Sequence, residues 1–157
     1  MSKEKHYLLQ RETTLALQCA KQAHEGELRS VGPDTGLSYF DTHILRVVKA
    51  VSERAKPAAA IHDVVEGDRG ITLDGLRSTE QFSEVTLEAV ELLTRRDAET
   101  YFEYIDRIVK SGGDTRSLEI AREVKLADLV DNFITLPHGS LRKRYLKAIH
   151  LLTKSYL

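Results

Sequence analysis

The side chains most able to do chemistry sit in unusually apolar surroundings. Ala58 to Gly67 reads AAAIHDVVEG, which sets His62, Asp63 and Glu66 in a run otherwise suited to a buried helix. A buried carboxylate without a partner is disfavoured by several kcal/mol or more. A divalent metal compensates best, because carboxylate oxygen and neutral imidazole nitrogen are ordinary ligands for one. On a helix His62 and Asp63 are ~100° apart, so both reach one ion beside it. Glu66 returns to the same face, four residues after His62 and three after Asp63. His43 falls in the first turn of another predicted helix, where the positive dipole end favours neutral imidazole. Asp128 lies within VKLADLVDN, again among apolar residues. One helix face there carries Lys125, Asp128 and Asn132, with Thr135 a further turn on. Each residue alone has an ordinary explanation: a helix ending in polar side chains, or a histidine packed beside Tyr39 and Phe40. Together, His43, His62, Asp63 and Asp128 on three predicted helices form a candidate ligand set. Their spacing does not separate Mn²⁺ from Mg²⁺, Fe²⁺ or Zn²⁺.

The elements that must position these residues all read as helices. The first runs from about Lys5 to Glu25, with Leu8, Leu9, Leu15, Ala16, Cys19 and Ala23 as its stripe and His24 in its last turn. A loop over 27–39 carries Arg29 and the turn residues Gly32, Pro33, Asp34 and Gly36. Asp41 or Thr42 is the expected N-cap of a helix to about Arg54. Pro57 suits the first turn of the helix that carries His62 and Asp63. Thr72 is expected to cap a short helix over 73–76, and another spans Glu84 to Thr94. Thr100 is expected to cap Tyr101 to Lys110, ended by Gly112 and Gly113. Helices over 118–130 and 141–154 follow, the latter with Leu146, Ile149 and Leu152 as its apolar side. The fold class is therefore all-α, about seven helices around one core.

Composition sets outer limits. With 157 residues the chain fits one domain with a substantial core. Lys+Arg at 23 against Asp+Glu at 24 argues against general nucleic-acid binding, while leaving room for a local basic pocket for a phosphorylated small molecule. Cys19 is the one cysteine, so neither an intrachain disulfide nor a thiolate metal cluster is expected, and a reduced cytoplasmic location is the natural reading. No segment reaches the ~18 apolar residues of a membrane span. Oligomeric state is not legible.

The ordered set of His24, the YFDTH segment, HDVVEG, LTR with YFEYIDRI, and VKLADLVDN resembles the HD-domain metal-dependent phosphohydrolases. Within them it is similar to the small alarmone (ppGpp) hydrolases and the hydrolase half of the RelA/SpoT proteins, over roughly Ala20 to Leu136. The resemblance implies His43, His62, Asp63 and Asp128 as metal ligands, with manganese the typical ion. It implies Glu66 as the acid that helps activate water, Arg29 as the loop arginine that packs on the guanine base, and Asn132 and Thr135 as residues of the nucleotide pocket. Lys125 or Arg29 is positioned to offset phosphate charge. The implied activity is hydrolysis of the 3′-pyrophosphate of ppGpp. The chain departs from the pattern at Gly67, where an acidic residue usually follows the glutamate, and Asp68 is a candidate substitute. It departs again at Ser30, where a basic residue often follows the arginine, and in a longer loop before His43. These departures leave two other readings open: hydrolysis of another nucleotide, and nucleotide binding without cleavage.

Overall fold

The computed structural model describes residues 2–67, 69–110 and 116–154. Among them the chain forms eight α-helices and no strand: α1 (Lys3–Ala23), α2 (Leu45–Ala50), α3 (Lys56–Ala60), α4 (Leu73–Ser78), α5 (Glu84–Leu93), α6 (Tyr101–Lys110), α7 (Arg116–Thr135) and α8 (Ser140–Lys154). A π-helical turn over Phe40–Ile44 leads into α2, and a 3₁₀ turn over Glu53–Ala55 leads into α3. The fold is all-α, as expected. An isolated bridge between Leu28 and Ser38 pinches the loop after α1. No helix among the described residues is long and apolar enough to cross a membrane.

Side-chain oxygens start several helices by accepting backbone N–H groups that have no partner within the first turn. Thr72 Oγ1 accepts from the Gly75 N–H at 3.0 Å. At α6 the arrangement is reciprocal: Thr100 Oγ1 accepts from the Glu103 N–H at 3.3 Å, and Glu103 Oε2 accepts from the Thr100 N–H at 2.8 Å. The expected cap at Asp41 or Thr42 belongs instead to Ser38, whose Oγ accepts from the Asp41 N–H at 3.2 Å. The first helix ends at Ala23, so His24 lies just past it. Gly112 and Gly113, the expected stop for α6, lie outside the described residues.

The sequence placed His62 and Asp63 inside a helix, but α3 ends at Ala60. The His62 Nδ1–H donates to the Ala59 carbonyl at 2.8 Å, taking the acceptor that the Asp63 N–H would need to continue an α-helix. The chain then tightens into i, i+3 turns, from Val64 N–H to Ile61 O at 3.4 Å and from Glu66 N–H to Asp63 O at 3.1 Å.

Two apolar clusters lie side by side. The larger joins Ala16 and Ala20 of α1 to Val47, Ala58–Ala60, Val90 and Val124. The smaller joins Tyr104, Ile105 and Ile108 of α6 to Leu129 of α7 and to Ala148 and Leu152 of α8. Helix α7 contributes to both, and the candidate site lies where they meet. Leu8 and Leu146, expected in the core, are about half exposed at 52% and 54%.

Candidate metal centre

His43 sits in the π turn with its ring fully buried. Its Nδ1 lies 2.8 Å from Asp131 Oδ2. A carboxylate accepts, so Nδ1 carries the proton and the Nε2 lone pair is left for another partner. That Nε2 is buried 3.3 Å from Asp128 Oδ1 and makes no hydrogen bond among the described residues. His62 repeats the arrangement. Its Nδ1 donates to Ala59 O, and its Nε2 lies 3.9 Å from the same Asp128 oxygen. One ligand atom from each of His43, His62 and Asp128 falls within 4.8 Å of the others. Donor atoms held ~2.1 Å from a single ion lie up to ~4.2 Å apart, so a small contraction brings all three onto one. An imidazole fixed through its second nitrogen is the common support of a metal-ligating histidine.

Charge points the same way. Burial pulls the His43 pKa down, but Asp128 and Asp131 outweigh it and hold it up to about 9. The pocket thus favours a positive charge at Nε2, as a proton in the protein alone or as a cation. Burial pushes Asp128 up, yet Lys125 and the two histidines bring its pKa well below the usual range. Lys125 Nζ donates to Asp128 Oδ2 at 2.8 Å and Asn132 Nδ2 to Asp128 Oδ1 at 2.6 Å. The shared face of Lys125, Asp128 and Asn132 expected from the spacing is present.

Asp63, the fourth expected ligand, is engaged elsewhere. Its Oδ1 accepts from His24 Nε2 at 3.0 Å and its Oδ2 from the Tyr39 hydroxyl at 2.8 Å. Burial raises its pKa, and His62 and His24 lower it further, so it is held ionised. His24 Nδ1 reaches Glu27 Oε2 at 2.8 Å, and Arg69 Nη2 donates to that same oxygen at 2.8 Å. Arg69 Nη1 also donates to the Asp63 carbonyl at 3.2 Å and to the Glu66 carbonyl. This network fixes the turn that carries Asp63 and Glu66.

A chamber of about 190 Å³ opens beside the ligands, lined among others by His62, Asp63, Glu66, Lys125, Asp128 and Asn132. Glu66 is exposed, and its Oε1 accepts from the Arg95 N–H at 3.2 Å. Arg29 and Thr135 are not among the described residues lining the chamber. Both are buried, with Arg29 Nη2 donating to Thr135 Oγ1 at 2.7 Å and the Arg29 guanidinium 5.7 Å from the Tyr39 ring centroid. Arg29, expected to face a base, ties its loop to the end of α7. Gly67 adopts φ 77°, a left-handed conformation that side-chain-bearing residues rarely take. Asp68 lies outside the described residues.

Sequence reasoning gave no role to Asp131, Tyr39 or Arg69. A signal for Asp131 was present: it follows Asp128 by three residues, and a ligand histidine needs an acceptor for its second nitrogen. Nothing in the sequence signals that Arg69 folds back onto Asp63 and Glu66. Comparison with protein-family models and with curated proteins returns no match.

Proposed function

We propose that the chain is a metal-dependent phosphohydrolase acting on a nucleotide, with ppGpp the first substrate to test. The observation that carries the reading is the buried meeting of His43 Nε2, His62 Nε2 and Asp128 Oδ1 beside a chamber. The residues fit an ion: both imidazoles are fixed through Nδ1, and one Nε2 is an orphaned buried atom. Two histidines with carboxylate oxygen suit Mn²⁺, which the resemblance to alarmone hydrolases also favours. When bound, the metal supplies a positive charge on a phosphoryl oxygen and a water more acidic than bulk water. Glu66, at the chamber wall, would be the chain's own group to orient an attacking water or take its proton. Lys125 offsets phosphate charge while holding Asp128, and Asn132 braces the other Asp128 oxygen. His24 and Tyr39 keep Asp63 ionised and aimed at the chamber's edge.

A second reading, nucleotide binding without turnover, draws on Gly67, whose left-handed turn stands where an acid usually follows Glu66. A screen with Mn²⁺ separates the readings. Pyrophosphate release from ppGpp supports the proposal in full, and orthophosphate release from other nucleotides supports the broader class. Tight ppGpp binding with no product after long incubation supports the sensor. Substitution of His43, His62 and Asp128 by alanine with unchanged metal content would overturn the site.

A further inference from the structure

The even balance of charge over the chain hides an uneven distribution. Residues 132–157 hold five of the 23 Lys and Arg and none of the 24 Asp and Glu, and all five lie on α8. The apolar side of that helix is occupied, with Ala148 and Leu152 fully buried in the smaller cluster. Lys143, Lys147, His150 and Lys154 recur at i, i+4, i+7 and i+11, so they line up along one exposed side. Arg144, also exposed, stands three residues before Lys147. At ~1.5 Å per residue the row runs roughly 16 Å.

Like charges at i, i+4 destabilise a helix, so the row is unfavourable in the protein alone. Among the described residues no carboxylate is in ion-pair contact with it. The acids of α6, which packs against α8, are engaged elsewhere: Glu99 with Arg107, Glu103 with the Thr100 N–H and Asp106 with Lys110. Lys147 rests over the Phe102 ring at 4.5 Å and Arg144 over the Tyr101 ring at 5.5 Å, which holds both cations against the helix surface. The kind of anion that meets such a row follows from physical chemistry. A bilayer takes up the apolar face of an amphipathic helix, and that of α8 is already buried in the core. A folded acidic partner offers exposed ion pairs, each worth little. A nucleic-acid backbone is densely charged, and every phosphate neutralised releases condensed counterions, so a few cations in a row give measurable binding at low salt. The described part of α8 exposes no Phe or Tyr for stacking on bases, which leaves the backbone of a duplex as the target.

We propose that this side of α8 binds the phosphate backbone of double-stranded nucleic acid, without regard to sequence, through Lys143, Arg144, Lys147 and Lys154. The acidic remainder of the chain repels the polymer and so confines the contact to this helix. None of the four residues lines the chamber beside the metal ligands. The inference is therefore independent of the phosphohydrolase reading and stands or falls without it.

The test is fluorescence anisotropy with two short labelled DNA duplexes of unrelated sequence, at NaCl from about 50 to 200 mM. The parent is expected to bind both equally, with log K falling against log salt at a slope of about −3 to −4 for four cations. Lys143→Gln with Lys147→Gln should weaken binding to both duplexes and reduce the slope by about 2. Lys143→Arg with Lys147→Arg should keep the parent's slope, as should Lys5→Gln with Lys21→Gln, which removes the same charge from α1. Should the α8 glutamine pair fail to fold, Lys154→Gln alone decides, with an expected reduction of about 1. A parent that binds neither duplex at the lowest salt overturns the proposal. So does an equal loss in the α1 and α8 glutamine pairs, since net charge alone then governs binding. A marked preference for one sequence overturns backbone recognition. Binding to phosphatidylserine vesicles with none to the duplexes overturns it in favour of a membrane surface.

Discussion

Asp131 does for His43 what the Ala59 carbonyl does for His62: it accepts from Nδ1 and so presents Nε2 to the pocket. Losing such a support typically lowers metal affinity 10–100-fold. Asp131→Ala is therefore expected to weaken Mn²⁺ binding by about that factor, and Asp131→Asn, which keeps an acceptor oxygen, by less; a Mn²⁺ titration followed by calorimetry measures both. An Asp131→Ala protein that binds Mn²⁺ like the parent shows that the orientation of His43 is set elsewhere. Arg69 acts at one remove, gripping the Asp63 and Glu66 carbonyls and the Glu27 carboxylate at once. Arg69→Met is expected to leave metal content unchanged while turnover falls ~10–100-fold, the scale of a misplaced catalytic group. Full turnover in that variant removes Arg69 from the positioning of Glu66. The difference in legibility between these residues is physical. His43 and Asp128 announce themselves because an ionisable group in an apolar run needs an explanation. Arg69 lies in a polar turn where any charge is unremarkable, and only the folded chain brings it against Glu27.

At the scale of elements, periodicity and capping made most helices legible: Thr72 and Thr100 cap where the sequence puts them, and α5 ends at Leu93, one residue short of the expected Thr94. The end of α3 was not legible, because it depends on a side chain competing for a backbone carbonyl, which no hydrophobic pattern records. Loops depend on such particulars too. Gly32 has φ 82°, and a Cβ there would stand 1.8 Å from the Thr135 carbonyl oxygen. That close approach seats the Arg29 loop on α7. Gly32→Ala combines a backbone clash with a strained φ, so a loss of ~1–3 kcal/mol or more is expected in denaturant unfolding. Stability within the parent's range would mean that the loop can lift off at little cost. The 94–100 connection is held by Arg107, which donates to the Leu92 and Thr94 carbonyls and to Glu99. The Arg107 hydrogen bond brings the Glu99 carboxyl from its ordinary 4.5 to about 2. A depressed carboxyl stabilises the fold above its unfolded pKa, and that contribution fades as pH falls through the folded one. Glu99→Gln is thus expected to be less stable than the parent at neutral pH, by about 1 kcal/mol. It should also lose stability less steeply between pH 4.5 and 2. Parallel acid titrations followed by circular dichroism compare the slopes, and identical slopes would show that the pair does not couple to folding.

Across the whole molecule, the candidate ligands are far apart in the chain and close in space: His43, His62 and Asp128 meet only when the turn before α2, the turns after α3, and α7 have packed. The large cluster positions the first two, while α7 carries Asp128 at its seam with the α6–α8 cluster. An unfolded chain has no such site, so a ligand-set metal binds the native state and stabilises it by RT ln(1 + [L]/Kd), ~2.7 kcal/mol at 100-fold excess over Kd. For a domain of this length each kcal/mol moves the unfolding temperature by about 2–4 °C. Mn²⁺ at that excess is therefore expected to raise the parent's unfolding temperature by roughly 5–10 °C, and a chelator to reverse the shift. His43→Ala should show almost none of it, because it removes the imidazole nitrogen that lies nearest Asp128 Oδ1 in the cluster. The comparison is made within each protein, with and without metal, so destabilisation from the emptied imidazole cavity cancels. An equal Mn²⁺-dependent shift in parent and His43→Ala would place the ion away from this cluster. No shift in either would leave His43 with a proton, not a metal, as the positive charge its carboxylate neighbours favour.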